Sequence, residues 1–434
     1  MTMESARPSL LAHLSADRRY LAMLGLGFSA GIPYLLVYPT QSAWLSEAQV
    51  PIQTIGLMSE LTIAYKFKFV WAPFLDRYDA PFFSALLGRR RGWIVLSQIA
   101  VMLSLIGVAF GDPAHFLAYT VAFSLALGVA GATQDVTIDG WRITSVPVAK
   151  QSIMTAISEM GYRFGNLAAG AGALLLADRY GWPSAYCFMA GLMLIGAVSA
   201  FIAPEPDSDY TASHAHPGFI ATVIAPIKEM ATRLGPMALP IFLMIAGFRL
   251  PGYISSAMAF PLFKSLHYSD SEIATVTKLF GFGIALAATF FSAYIIRRIG
   301  MMPSLLVGTL AGSAAHLSLA WLASQGGGDF WSFAISVSIE GFAYAFAQVV
   351  LINYMSSLTA TELAASQFAL LTSLCAFPGS LIAGSSGFII AQTGFPLFFV
   401  MTSLIGIPVA TLCWYVLRLH AKLTPDPERH GAAN

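Results

Sequence analysis

Residues 131 to 142 read GATQDVTIDGWR, and within them Asp135 and Asp139 stand four residues apart at the end of an apolar run that starts near His115. On a helix that spacing puts both carboxylates on one face. A charge in hydrocarbon costs several kcal/mol unless it faces water, pairs with a base or carries a proton. Two carboxylates so placed are chemistry for taking up and releasing a proton as a coupled pair. The competing reading is an ordinary helix end, with Asp139 in solvent beside Arg142. Gln134 adjoins the pair but points about 100° away from Asp135 around the helix, so the three need not share a face.

Two bases in other apolar stretches can answer these acids, Lys68 and Arg163. An arginine in a cavity can also hold an anionic oxygen pair bidentately, while the plainer alternative is a structural ion pair locking helices together. Glu340 is the only acid deep in the second half, which makes it a second protonation candidate. Tyr344, Gln348, Asn353 and Tyr354 follow it along the same run, as sugar-binding groups or as helix-to-helix hydrogen bonds. Arg249 and Lys278 are the remaining charges inside apolar sequence of this half.

Other chemistry is absent from the sequence. There is no P-loop, no G-x-S-x-G elbow and no H-E-x-x-H helix. No catalytic residue, cofactor or metal site is expected. His214 and His216 are the only closely spaced histidines and read as part of a solvated linker. Cys187, Cys375 and Cys413 each lie in apolar runs and read as packing residues. The 23 Lys and Arg against 22 Asp and Glu leave no excess that points to nucleic acid.

The elements that position these residues follow from composition. With 57% hydrophobic and 10% charged residues, the chain has too little polar surface to cover a soluble globule. Apolar stretches of roughly 20 residues, the length that crosses ~30 Å of hydrocarbon as a helix, number twelve: 20–42, 52–75, 92–112, 115–140, 152–177, 182–203, 237–263, 272–296, 303–324, 329–356, 364–391 and 394–418. The polar first 19 residues and the length of the first apolar run speak against a cleavable signal peptide. Sixteen of the Lys and Arg fall on the side that holds both termini and only Arg179 and Lys264 on the other, so both ends are expected in the cytoplasm.

The segment 204–236, with PEPDSDYTASHAHPG, reads as a cytoplasmic linker between a first bundle over 1–203 and a second bundle with its tail over 237–434. ADRYGWPSAYCF between spans five and six is echoed by IAQTGFPLFFVM between spans eleven and twelve. Such an echo at matching places fits two parallel six-helix repeats. The expected fold class is an all-α integral membrane protein of twelve transmembrane helices in two six-helix halves.

GFSAGIPY at 27, AYKFKFVWAPFLDRY at 64, LGRRRGW at 87, ATQDVTIDGWR at 132, GYRFG at 161, LADRYGW at 176 and SQFALL at 366 come in an order that resembles the AmpG-type muropeptide permease family of the major facilitator superfamily. That family belongs to a group that includes acetyl-coenzyme A transporters. The resemblance runs through nearly all of the first half and thins in the second. It implies a major facilitator fold and a proton-coupled importer, in the inner membrane, of cell-wall fragments such as anhydro-muropeptides. Its partners would be an anionic small molecule, protons and the lipid bilayer, with the protein a monomer. Asp135, Asp139 and Glu340 would couple protons, and Gln134, Lys68, Tyr162, Arg163, Lys278 and Gln348 would meet cargo.

Asp76 and Arg77, followed by Arg89, Arg90 and Arg91, resemble the loop signature with which such proteins gate the cytoplasmic side, through charge-assisted bonds to helix ends. The alternative makes these arginines topology determinants only. Departures from the family pattern include the charges at Glu60, Lys66 and Glu159, the glycine at Gly252 where the family tends to carry an acid, and an end after twelve spans where some members continue. They keep open another anionic cargo, such as a siderophore or a coenzyme A derivative; a non-transporting membrane sensor is the alternative of another class, since binding and transport need the same cavity.

Overall fold

The computed structural model describes residues 17–206, 219–327, 329–383 and 385–423, so Arg7, Arg429 and the His214 and His216 pair lie outside the described residues. Among the described residues the chain is helical and contains no strand. The longer helices are α1 (Arg18–Ala30), α2 (Arg89–Ala109), α3 (Leu117–Thr144), α4 (Val148–Leu167), α5 (Trp182–Ile202), α6 (Phe219–Leu234), α7 (Ala238–Phe248) and α8 (Leu250–Ser265). They continue with α9 (Gly281–Ile299), α10 (Met301–Ala314), α11 (His316–Ser324), α12 (Phe330–Ser357), α13 (Ala364–Ala383) and α14 (Ser386–Leu423).

Each of the twelve apolar stretches falls on helical segments, and ten of them meet the length and apolarity a membrane crossing requires. The exceptions are 52–75 and 152–177. The first is a broken passage, in which 3-10 turns at Ser59–Thr62 and Lys68–Val70 interrupt the short helices Ile52–Met58, Ile63–Phe67 and Ala72–Arg77. Non-helical backbone at membrane depth persists only where protein or a wet cavity satisfies the freed groups. The second passage runs from α4 through a π turn at Ala168–Gly172 into Ala173–Tyr180, and Glu159, Arg163 and Asn166 lower its apolarity.

Internal contacts divide the chain into two compact units, Met1–Pro226 with Thr359–Ser373, and Ile227–Leu358 with Leu374–Asn434. The stretch expected as a linker carries α6, and the division falls inside that helix. α13 is divided as well, its first turns counting with the first unit.

The sequence echo has a backbone counterpart. Gly181 (φ 82, ψ 159) stands just before α5, and Gly394 (φ 73, ψ 167) interrupts α14 two residues before Pro396. A second pair, Gly88 (φ 87, ψ 167) before α2 and Gly300 (φ 85, ψ 167) before α10, repeats the device. This left-handed region admits glycine at no steric cost, so the same sharp reversal launches corresponding helices in both halves of the sequence.

In the first unit α1 packs on α4 backbone to backbone. A Cβ added at Gly27 would lie 2.4 Å from the Ser158 carbonyl oxygen, and one at Gly161 would lie 2.3 Å from that of Leu24. Gly31 and Gly165 complete two small-xxx-small pairs that let the helices approach closely. The apolar cores of this unit gather Met23, Leu26, Ile94, Trp141 and Ile157 in one cluster and Leu36, Val101, Leu127, Tyr186 and Met193 in another. In the second unit Phe333 stacks on Tyr268 and meets Phe263 edge-on, with Leu319 and Phe398 packed into the same core.

Candidate functional site

The broken passage sets the first cluster. Lys68 opens the 3-10 turn Lys68–Val70, and its Nζ lies 3.6 Å from Asp135 Oδ2 on α3. Both side chains are largely withdrawn from solvent, at 9% and 20% exposure, so each charge depends on the other. Asp139 follows Asp135 by four residues on the same helix, and both are half-buried. The Tyr65 hydroxyl is buried with no hydrogen-bond partner, and its ring stands edge-on to Tyr34 at 5.1 Å. Trp71 Nε1 donates to Thr133 Oγ1 at 3.1 Å, tying the broken passage to α3 beside the pair. The pair is one acid and one base in a largely buried setting, able to hold a proton or a polar solute.

Arg163 is half-buried on α4, four residues past Glu159. Gln134 is fully buried, and its Nε2 donates to Ser29 Oγ at 3.4 Å, where Gln98 Nε2 also donates at 2.8 Å. That amide cluster joins α1, α2 and α3, which places Gln134 within helix packing rather than on an open wall. Asp139 does not lie beyond the helix end, because α3 runs on to Thr144. Its Oδ1 takes Arg142 Nη2 at 3.2 Å, and the buried Arg142 also donates to Thr155 Oγ1 at 2.8 Å and lies over the Phe368 ring.

The second cluster gathers the charges of the 76–91 segment. Asp76 is buried, and its Oδ1 receives Arg90 Nη1 at 2.6 Å. Its Oδ2 accepts the Ser366 backbone N–H at 2.7 Å and the Ser366 hydroxyl as well. An acid at the first turn of α13 satisfies orphan N–H groups and meets the positive end of the helix dipole. Glu205 does the same for α2, taking the Arg90 and Arg91 N–H groups at 2.8 and 3.1 Å. Arg91 in turn donates to the Ala200 and Phe201 carbonyls at the end of α5. Arg77 lies over the Tyr78 ring and, with Asp76, lines a small pocket that also holds Thr222 and Glu362. Arg89 is half-buried at the start of α2.

In the second unit Glu340, Tyr344 and Gln348 follow one another at helical spacing on α12, each half-buried. Asn353 is fully buried with its Nδ2 bonded to the Val349 carbonyl of its own helix, and Tyr354 is buried too. Lys278 is exposed in the π turn Thr275–Phe280.

The family model described as "Major Facilitator Superfamily" matches residues 23–384. The chain belongs to this superfamily. Its relatives include the "Putative transporter AmpG 4" of Rickettsia conorii, 28% identical over 406 residues that cover 92% of this chain and 97% of that protein. The "Anhydromuropeptide permease" of Escherichia coli K12 is 28% identical over 392 residues, 90% of this chain and 78% of that protein. Among solved structures, the human organic anion transporter MFSD10 superposes with a TM-score of 0.68 at 16% identity, covering 91% of this chain and 99% of that one. The proton:xylose symporter XylE gives 0.62 at 14% identity, covering 92% and 95%. The protein is thus an all-α, multi-pass membrane transporter of the major facilitator fold, related to the AmpG-type permeases.

The sequence alone carries no sign of the contacts that Ser366 and Glu205 make. Ser366 opens the quoted SQFALL motif, yet nothing local marks its partner. Glu205 had looked like part of a polar linker, and only the tertiary fold brings it to the start of α2.

Proposed function

We propose that this transporter is a proton-coupled importer of cell-wall fragments, carrying anhydro-muropeptides from periplasm to cytoplasm by alternating access. The observation that carries the reading is the Lys68–Asp135 pair, set in a break of a membrane passage. The chain around it aligns over nine-tenths of its length with an anhydromuropeptide permease. Protonation of Asp135 would release Lys68, and re-formation of the pair would expel the proton; Asp139 is the coupled neighbour and Glu340 a second carrier in the other half. Lys68, Tyr162, Arg163, Lys278 and Gln348 are the proposed cargo contacts. Gln134 leaves that set because it bonds between helices.

Asp76 with Arg90 and the first turn of α13 forms the proposed cytoplasmic gate, intact in one state and broken in the other, with Arg77, Arg89 and Arg91 supporting it. The protein is read as a monomer in the inner membrane, and the bias of Lys and Arg supports placing both termini in the cytoplasm.

The test is uptake of labelled anhydro-muropeptide into liposomes that carry the purified protein, with and without an inward proton gradient. Accumulation that needs the gradient and collapses with a proton ionophore supports the reading. Absence of uptake by folded protein sinks it and turns attention to other anionic cargo. Binding without accumulation is the outcome a sensor gives.

A further inference from the structure

Arg249 stands at the joint between α7 and α8 in the second unit, where one helix ends at Phe248 and the next begins at Leu250. Its guanidinium lies between two tyrosines, 4.9 Å from the Tyr253 ring centroid and 5.3 Å from that of Tyr344. Its Nη2 donates to the Tyr344 hydroxyl. The arginines buried outright, Arg90 and Arg142, are paired with Asp76 and Asp139. Arg249 differs, because no carboxylate of the described residues forms an ion pair with it. Arg249 is half-buried, and the two ring contacts leave part of its hydrogen-bonding capacity unused, with Nε buried and unbonded.

That cavity lies beside the guanidinium and is lined by Arg249, Tyr344, Gln348, Thr309, Ser313 and His316. Two of its polar atoms are buried and unbonded, Arg249 Nε and His316 Nδ1, the latter on a residue only 3% exposed. Three glycines are also among its lining residues, Gly252, Gly308 and Gly312. A Cβ added at Gly252 would sit 3.4 Å from the Tyr344 ring, and those at Gly308 and Gly312 would meet Ala347. A guanidinium with spare donors, held flat by two rings, is shaped to receive a carboxylate in its plane.

We propose that Arg249 recognises a carboxylate of the cargo, with Tyr344, Gln348 and His316 forming a hydrogen-bonding wall around it. The second unit then favours the acid form of the cargo over an amidated one. This rests on the reading of the cargo as an anhydro-muropeptide.

The experiment is equilibrium binding to the full chain in detergent, with two probes. One is a disaccharide-anhydro tripeptide with free carboxylates, and the other is the same molecule with its carboxylates amidated. The wild type should prefer the free acid by about tenfold or more, the worth of a charge-assisted hydrogen bond. Arg249→Gln should bind the two probes alike, and Arg249→Lys should keep part of the preference. Gly252→Asp places a carboxylate three residues from Arg249, where it can occupy the guanidinium. It should also erase the preference, and it decides the matter if Arg249→Gln does not fold. Preference that survives in folded Arg249→Gln or in Gly252→Asp overturns the assignment. So does an equal loss of both probes, which would mark Arg249 as a structural clamp. A wild type that binds both probes equally removes this inference alone, whereas one that binds neither removes the proposed cargo and this inference with it.

Discussion

Lys68 and Asp135 are held in an apolar bundle by each other's charge, since neither has enough solvent around it to stand alone. If Asp135 carries the coupled proton, Asp135→Asn should reduce gradient-driven accumulation by at least about tenfold while leaving exchange of cargo across the membrane intact. Uptake and counterflow on the same liposomes check this, and normal accumulation removes Asp135 from the role. The sequence made the acid visible because a carboxylate inside an apolar run is costly in any fold. It named Lys68 as one of two possible bases. It could not foresee that Gln134 would bond to Ser29, since that needs the register between α1 and α3. Nor could it show that the Asp139–Arg142 pair sits inside the helix with a buried guanidinium.

At the scale of elements, contacts between distant segments decide what the sequence leaves open. Asp76 and Ser366 are 290 residues apart, so a motif at each end carries no sign of the bond between them. Asp76→Ala strands the buried Arg90 charge and two donors at the start of α13, at a cost of about 3–5 kcal/mol. Ser366→Ala keeps the backbone donor and should cost about 1 kcal/mol. Thermal unfolding of the purified variants in detergent gives the order, and a Ser366→Ala loss as large as that of Asp76→Ala contradicts the geometry. The α1/α4 contact offers a second check. Gly161→Ala drives a methyl into the Leu24 carbonyl and should destabilise the protein, whereas at Gly191, with nothing within 4 Å, alanine should be neutral or mildly stabilising. Helix identity was legible throughout because apolar length alone specifies it. The 3-10 breaks in 52–75 were not, because Ser59, Glu60, Thr62 and Lys68 in those turns read equally well as polar positions of a continuous helix.

For the whole molecule, the helical membrane fold was readable from apolar length, and the Gly-aromatic-Pro echo has a counterpart in the positive-φ glycines Gly181 and Gly394. The division into units was less so: a polar segment reads as a linker, yet it contains α6 and the boundary passes through that helix. The central claim is that cargo and proton cross together. The most direct measurement is the internal pH of liposomes bearing the protein, with no imposed gradient, when anhydro-muropeptide is added outside. Coupled import predicts that the lumen acidifies on addition of cargo in the wild type and not in Asp135→Asn. Cargo entering with no movement of protons would contradict the account.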